Sequence, residues 1–233
     1  MCGRFALATP PEALRQLVDF SNRMNFPARY NIAPTQPVSI IRAAPQTEMA
    51  LLSWGLVAPW LKPEQVHDKS SRPQINARAE TVMEKPSFKN AFRRRRCLIP
   101  ADAIYEWDRK IGQPYRIHRE DGTAFFMAGL WEIWSGADGS EIESCAIITT
   151  AANDTLSAVH HRMPAIIAPQ HADEWLTTAE TKADGLHTLL GEAGQAGIVA
   201  TPISKRVNKV SEDDVGLWDE HRITPPPKQM DLF

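Results

Sequence analysis

The sequence predicts a single α+β domain built on a curled, mostly antiparallel sheet. Three observations lead to this prediction. The chain has 233 residues, of which 43% are hydrophobic, and this is enough to bury one large core. From Cys97 onward, short apolar or alternating runs are separated by Gly-containing turns such as REDG and SGADGS, a pattern typical of strands joined by tight connections. These runs do not alternate regularly with helical segments, as they would in a parallel α/β sheet.

The N-terminal part of the chain is predicted to hold two helices and two extended segments. Thr9, followed by two prolines and Glu12, has the pattern of a helix N-cap and an acidic first turn. The segments YNIAPTQPVSIIRA and MALLSWGLVAPW are rich in β-branched and apolar residues and predict strands. Residues 86–96 predict the second helix, in which Phe88 and Phe92 pair at i,i+4 spacing. The buried face of the first helix is predicted to consist of Leu14, Leu17 and Val18.

The rest of the chain is predicted to be mainly strands, with surface helices at residues 169–177 and 183–190. No internal repeat or linker interrupts it, so residues 1–222 are assigned to one domain. Residues 223–233 are predicted to form a Pro-rich flexible tail, because three consecutive prolines favour an extended chain. The segments expected to be extended are CLIP, AIYEW, YRIHR, AFFMAGLWEIW, CAIITT, AIIA and IVATPIS.

Composition and motifs argue against several classes of protein. The net charge of −2 gives no global sign of nucleic-acid binding. No stretch of about 18 apolar residues predicts a transmembrane helix, and no signal peptide is recognised. The three cysteines are too widely spaced for a disulfide framework or a zinc motif, so a cytoplasmic location is expected. The GxGxxG, GxxxxGK[ST], HExxH, CxxC and GxSxG signatures are absent, and no cofactor is expected.

The positive charge is concentrated in four consecutive arginines, Arg93 to Arg96. Such a run can line a basic cleft on a nearly neutral protein and contact phosphates. It can also form the solvated C-terminal end of a helix, where positive charge suits the helix dipole. The residues alone leave both interpretations open.

Cysteine occupies the second position, directly behind a methionine. Methionine aminopeptidases accept a small second side chain, so the mature protein is expected to begin with Cys2. Such a terminus carries a free α-amine and a thiol on adjacent carbons. A cysteine also occurs at this position by chance, at about the overall frequency of the residue, so the position alone decides nothing.

A carboxylate lies within the apolar strand segment AIYEW. Strand alternation places Glu106 on the opposite face from Tyr105 and Trp107, and on the same face as Ile104. A carboxylate among apolar side chains is either paired with an arginine or left with a raised pKa that suits acid–base chemistry. The segment itself does not decide between them.

Taken together, several segments resemble one known family. Asn76 and Arg78 lie in INARAET, and two histidines lie in VHHRMP. With MCGRF, RYNIAPTQPV, WGLVAPW, CLIPADAIYEW, FFMAGLW and CAIITTAAN, they follow the order and spacing of the SRAP family of abasic-site processing proteins. The resemblance covers roughly residues 1–220, and SKRVNKVSEDD is similar to the closing segment of the family. It implies a central barrel-like sheet, peripheral helices and a positively charged channel for single-stranded DNA.

The resemblance also implies roles for individual residues. His161 occupies a variable motif position and receives no role. Ala103 and Ile104 depart from the family, which usually has Gly followed by Phe or Tyr before YEW. The implied catalytic residues are Cys2 as nucleophile, Asn76 as a holder of the reacting sugar, Glu106 as the acid–base carboxylate and His160 as its partner. The residues implied to lie near the DNA are Arg4, Asn31, Pro59, Trp60, Arg78 and Thr149.

The implied activity is lyase-like DNA repair chemistry on abasic sites in single-stranded DNA. The deoxyribose of an abasic site is partly an open aldehyde, and an α-amine with a pKa of about 7.7–8.0 is neutral often enough at pH 7 to condense with it. The thiol of Cys2 can then close onto the same carbon as a thiazolidine. Two other functions stay open, namely a cysteine peptidase that uses Cys2, on its own chain or another, and a module that binds modified bases reversibly.

The expected partner is single-stranded DNA that contains abasic sites. The protein is expected to be a monomer and not to bind membranes. A second partner is suggested by the last residues, QMDLF, which resemble the short peptide by which bacterial proteins dock on the replication sliding clamp. Leu232 and Phe233 would fill an apolar pocket and Gln229 would hydrogen-bond at its edge. A functionless terminus is the simpler interpretation.

Overall fold

A computed structural model describes residues 2–66, 68, 73–191 and 197–221. The predicted tail and its clamp-docking residues Gln229, Leu232 and Phe233 lie outside the described residues. The strands are β1 (Phe5–Leu7), β2 (Arg29–Ile32), β3 (Pro37–Ala43), β4 (Thr47–Trp54), β5 (Asn76–Arg78), β6 (Arg96–Ala101), β7 (Ala103–Asp108), β8 (Gln113–Arg119), β9 (Phe125–Ser135), β10 (Glu141–Ala151), β11 (Arg162–Pro164), β12 (Ile166–Ile167) and β13 (Ile198–Pro202). The α-helices are α1 (Pro11–Arg15), α2 (Pro63–Val66), α3 (Pro86–Arg94), α4 (Asp154–Ser157) and α5 (Ala172–Thr177).

Five strands close into a small barrel at the centre of the molecule. The ring runs β10–β4–β3–β6–β9 and returns to β10. The pairing of β4 with β10 is parallel and the other four pairings are antiparallel. Three short strands extend the ring, since β5 and β11 pair with β10 and β12 pairs with β9. The predicted α+β fold with a barrel-like, mostly antiparallel sheet is therefore confirmed.

Gly129 on β9 allows close packing beside the neighbouring strand β6, where it pairs with Cys97. A Cβ atom added at this glycine would lie 2.7 Å from Cys97 Sγ and 2.9 Å from Ile99 Cδ1, which is closer than packed atoms tolerate. Both neighbours are fully buried on β6. Any larger residue at this position would have to displace these side chains.

A second sheet of five strands, in the order β13–β8–β7–β1–β2, packs against the barrel. Its inner face carries Phe5 and Ile104, which join the main core, and Phe5 meets Trp54 of β4 edge to face at 5.2 Å. Its outer face carries Tyr105, which packs beneath the C-terminal segment. Glu106 follows Tyr105 and is buried, so it points to the inner face as alternation predicted.

The boundaries of the two N-terminal helices differ from the prediction. The N-cap position of α1 is Pro10, because Thr9 instead donates its backbone N–H and its hydroxyl to the carboxylate of Asp102. Leu17 was predicted to be buried but lies beyond the end of α1 and is 37% exposed. The second predicted helix ends at Arg94, and Arg96 is already the first residue of β6.

The two predicted C-terminal helices are only partly α-helical. The segment 169–177 is a 3-10 turn, Pro169–His171, followed by α5. The segment 183–190 lies within a 3-10 helix, Glu180–Leu190, whose buried side chains are Ala183, Leu186 and Leu190. Within the ranges that the structure describes, no helix is both long and apolar enough to cross a bilayer.

Each of the four consecutive arginines has a partner within the protein. Arg93 and Arg94 form ion pairs with acidic residues of the 3-10 helix Glu180–Leu190, at 3.3 and 2.9 Å. Arg95 pairs at 2.7 Å with the buried carboxylate of Glu132. The guanidinium of Arg96 is buried and donates to backbone carbonyls at the C-terminal ends of α3 and α5. The run therefore ties α3 and the 3-10 helix to the barrel.

A candidate active site around Cys2

Antiparallel pairing of β1 with β7 brings Cys2 beside Glu106. Phe5 lies opposite Ile104, and the N–H of Tyr105 donates to the carbonyl of Arg4 at 3.0 Å. Continued toward the start of the chain, this register places Gly3 opposite Glu106 and Cys2 one residue further along. Cys2 is fully buried, with its Sγ 3.9 Å from the carbonyl oxygen of Arg4. Burial raises the pKa of the Cys2 thiol, and the negative charge of Glu106 raises it further.

Asn76 approaches Cys2 from the barrel side. It begins β5 and lies opposite Ile147 of β10. Its side-chain Nδ2 donates to the carbonyl oxygen of Cys2 at 2.8 Å. The other side-chain atom, Oδ1, is buried and has no hydrogen-bond partner among the described residues. The amide therefore fixes the backbone of Cys2 and keeps an acceptor available beside it.

Glu106 is a buried carboxylate, with 4% of the residue exposed. Burial raises the pKa of this carboxyl above its ordinary value, while the positive charges of the chain terminus and of Arg109 act in the opposite direction. The net direction is upward, so the protonated acid persists to higher pH than in an exposed glutamate. Glu106 can therefore give a proton to a reacting group and take it back.

His160 lies just after α4, which is capped by the side chain of Asn153. The backbone N–H of Arg162 donates to His160 Nδ1 at 3.0 Å. The same nitrogen lies 3.2 Å from the carbonyl oxygen of Arg162, so the backbone of Arg162 holds this edge of the ring in either neutral tautomer. Burial lowers the pKa of His160 and favours the neutral imidazole.

Arg162 links His160 to the edge of the barrel. Its guanidinium pairs with Glu80 through two bonds, of 2.5 and 3.0 Å, and donates to the carbonyl of Thr149 at 2.6 Å. The pKa of Glu80 is lowered mainly by this hydrogen bond from Arg162. Thr149 was predicted to lie near the DNA, but its side chain is fully buried and its hydroxyl donates to the carbonyl of Ala77 at 3.3 Å.

Arg4 and Asn31 form a second internal network. Arg4 donates to Asn31 Oδ1 at 2.6 Å and to the carbonyl of Val207 at 2.8 Å. Asn31 is fully buried, and its Nδ2 donates to carbonyls of the C-terminal segment, including those of Lys209 and Glu212 at 2.9 and 2.7 Å. The side chains predicted to approach DNA here hold that segment against β2.

Three of the predicted DNA-contact residues do reach the surface. Arg78 ends β5, two residues beyond Asn76, and is exposed. Pro59 and Trp60 are exposed in the turn after β4, with 52% of the indole accessible. Contact of these three residues with DNA stays a prediction.

Two further positive residues lie close to the site and were not singled out from the sequence. Arg109 is exposed in the turn after β7, and its charge acts on Glu106 and on His160. Arg162 stands in the HHRMP segment, but only the fold brings its guanidinium to Glu80. The only sequence feature that could have pointed to Arg109 is a charged turn three residues after Glu106. Most charged turns are simply exposed to solvent, so this feature does not predict a role in the site.

Within the implied catalytic set, the structure thus brings Cys2 together with Asn76, through a hydrogen bond, and with Glu106, through its charge. His160 lies near them, since the charge of Arg109 acts on both His160 and Glu106. The set combines a cysteine, a carboxyl with a raised pKa, a neutral imidazole and an amide. Among the residues described, no group of three or more His, Cys, Asp and Glu side chains has the arrangement of a metal site. The group is suited to nucleophilic and proton-transfer chemistry at a carbonyl carbon.

Comparisons with known proteins agree on one family. The profile described as SOS response associated peptidase (SRAP) matches residues 1–210. The abasic site processing protein YoaM of Bacillus subtilis is 37% identical over 226 residues, which cover 94% of this chain and 98% of that protein. The abasic site processing protein HMCES of Gallus gallus is 30% identical, over 99% of this chain and 83% of its own length.

Solved structures show the same fold. A protein of Bordetella bronchiseptica superposes with a TM-score of 0.74 and 30% identity, covering 87% of this chain and all of that one. A protein of Bacteroides thetaiotaomicron superposes with a TM-score of 0.80 over 95% of this chain, and its 23% identity supports the fold alone. The match over almost the whole length, together with the shared fold, makes this chain a member of the SRAP family.

Proposed function

We propose that this protein processes abasic sites in single-stranded DNA by linking Cys2 covalently to the aldehyde of the lesion. The observation that carries the proposal is the burial of Cys2 between Asn76 and Glu106, where its carbonyl is fixed at 2.8 Å and its thiol is held uncharged. The names of the relatives, abasic site processing proteins, support the substrate class. The product would shield a lesion that otherwise breaks the strand.

The first step is condensation of the Cys2 α-amine with the aldehyde carbon of the open sugar. The amine nitrogen forms a bond to this carbon, and the resulting hydroxyl leaves as water after taking a proton from Glu106. The raised pKa of the buried carboxyl keeps that proton available near neutral pH. This step requires a free amine on Cys2 and hence removal of the preceding methionine.

The second step is closure of the ring. The Cys2 sulfur attacks the carbon of the protonated imine, its proton passes to the Glu106 carboxylate left by the first step, and the electron pair of the C=N bond returns to the nitrogen. The five-membered thiazolidine forms with no further leaving group, so the whole sequence releases one water. Because burial keeps the thiol protonated at rest, a base beside the sulfur is necessary, and Glu106 is the group whose charge acts on it.

The two remaining residues orient the sugar. With its proton on Nε2, neutral His160 can donate to the sugar oxygen that becomes a hydroxyl when the ring opens. The unpartnered Oδ1 of Asn76 can accept from the Cys2 amine or from a sugar hydroxyl. Run in reverse, the same proton transfers would release the DNA.

A cysteine peptidase is less well supported by the geometry. Peptidases of that class attack with a thiolate, which is normally stabilised by a neighbouring imidazolium. Here burial and Glu106 both raise the pKa of the Cys2 thiol, which disfavours the thiolate. Burial also lowers the pKa of His160, which disfavours the imidazolium. A thiolate–imidazolium ion pair is therefore unfavourable. A module that binds modified bases reversibly would not need a buried cysteine beside an acid.

Incubation with abasic single-stranded DNA followed by denaturing electrophoresis tests the proposal. The wild-type protein should give a shifted band that needs no reducing agent to trap it. Cys2→Ala should give none, and Cys2→Ser should give at most an imine that borohydride must trap. Cys97→Ala, which removes a buried thiol inside the barrel, should keep the band. A full-strength, reduction-independent band from either Cys2 variant would overturn the thiazolidine mechanism.

A further inference from the structure

His161, to which the resemblance gives no role, stacks on the ring of His160. The two ring centroids are 4.4 Å apart and the planes differ by 28°. His160 is buried, with 6% of the residue exposed, whereas His161 is exposed. One imidazole thus covers the solvent side of another in the proposed catalytic group.

The stacking restrains the plane of the His160 ring. The backbone N–H and carbonyl of Arg162 lie 3.0 and 3.2 Å from Nδ1 and hold one edge of the ring. Contacts at an edge restrain the plane of a ring less than contacts on its flat face, and a tilt would move Nε2 away from a fixed sugar oxygen. An aromatic ring packed on the flat face opposes this tilt.

The pair is also coupled electrostatically. The charged groups that face it are Glu106 of β7, Arg109 in the following turn, Arg162 of β11 and the chain terminus. The pKa of His161 is lowered first by desolvation and then by His160. Two stacked imidazolium rings would repel each other, so the pair takes up one proton more readily than two. The exposed ring is the easier one to charge, because it keeps contact with water.

We propose that His161 is a positioning residue that holds the plane of His160 and, by taking the first proton itself, keeps His160 neutral. The inference rests on the proposed function, in which the neutral ring of His160 faces the sugar oxygen.

Two variants separate the stacking from the charge. His161→Ala removes both, and His161→Phe keeps an aromatic face without a charge. At pH 8, where both rings are neutral, His161→Ala should slow formation of the DNA adduct by about two- to tenfold, the range expected for a lost aromatic pair, and His161→Phe should restore most of the rate. In weakly acidic buffer both variants should fall further below the wild type, because His160 now becomes charged. His171→Ala, at an exposed histidine before α5, is the matched control and should change neither rate.

A titration of the His160 ring by NMR measures the coupling without DNA. Without His161 the ring of His160 is more exposed and has no cationic neighbour in the stack, so its midpoint should move to higher pH in His161→Ala. An unchanged midpoint would overturn the charge coupling, and an unchanged adduct rate at pH 8 would overturn the positioning role. If the wild-type protein gave no adduct at all, the proposed function would fail, while the titration would still decide whether the two rings are coupled.

Discussion

Replacement of Asn31 by alanine should destabilise the protein rather than weaken a direct contact with DNA. The side chain is fully buried and makes one charge-assisted bond, from Arg4 at 2.6 Å. It also donates to three carbonyls of the C-terminal segment, at 3.2, 2.9 and 2.7 Å. A charged hydrogen bond contributes about 1.5–3 kcal/mol and a neutral one about 0.5–1.5 kcal/mol, and water entering the vacated space recovers part of this. The expected loss is about 3–5 kcal/mol.

Urea unfolding followed by tryptophan fluorescence measures this loss, since the chain has 7 tryptophans. A loss of this size lowers the melting temperature by about 10 °C in a domain of this length. Asn90→Ala, at an exposed position on α3, is the control and should stay within about 0.5 kcal/mol of the wild type. A loss below about 1 kcal/mol for Asn31→Ala would refute the reasoning. Weaker DNA binding at unchanged stability would instead support the direct contact that the family resemblance implies.

Three further outcomes are expected. Glu106→Gln should slow adduct formation yet raise the free energy of unfolding. The gain in stability should grow with pH above about 4.3, because a carboxyl whose pKa is raised by burial loses its stabilising contribution as pH rises. Melting curves at pH 5 and pH 8 check this, and equal gains at both pH values would contradict it. Arg78→Ala should weaken binding of single-stranded DNA and reduce the slope of log K against log salt concentration by about 0.7, the value for one phosphate contact. Fluorescence anisotropy at several salt concentrations measures this slope, with Lys89→Ala on α3 as the control. An equal slope for the wild type and Arg78→Ala would exclude the contact. Leu232→Ala combined with Phe233→Ala should abolish binding to a bacterial sliding clamp, as measured by calorimetry. If the double variant bound as tightly as the parent protein, the tail would not be a docking peptide.

Local sequence patterns predicted the features that depend on neighbouring residues. The alternation around Glu106 placed it correctly because Ile104 and Tyr105 have clear and opposite preferences for the two faces of the second sheet. The order of strands and turns was also enough to predict an α+β fold with a mostly antiparallel sheet. In both cases the deciding contacts lie within a few residues along the chain.

The features that local patterns did not predict depend on distant partners. Arg96 leaves the helical pattern because carbonyls at the C-terminal end of α5, about eighty residues later, accept its guanidinium hydrogen atoms. Asn31 is buried by a segment that begins 176 residues further along the chain, and its contact with DNA stays a prediction. Nothing in the local sequence distinguishes an asparagine that meets DNA from one that binds internal carbonyls. Likewise, the contact of His160 with Arg162 is local, but only the whole fold brings the stacked His160 and His161 near Glu106.

The burial of Cys2 also has a consequence for the order of events during synthesis. The groups that enclose Cys2 are made later than it is, because Asn76 lies on β5 and this strand is held in place by β10, which ends at Ala151. At about 5–20 residues per second, a ribosome needs roughly 7–30 s to reach this strand. During that interval the first residues emerge with nothing to cover them, so an aminopeptidase working on the nascent chain can act there. Once β10 has closed the barrel Cys2 is buried, so removal of the preceding methionine is expected to be fastest before that point.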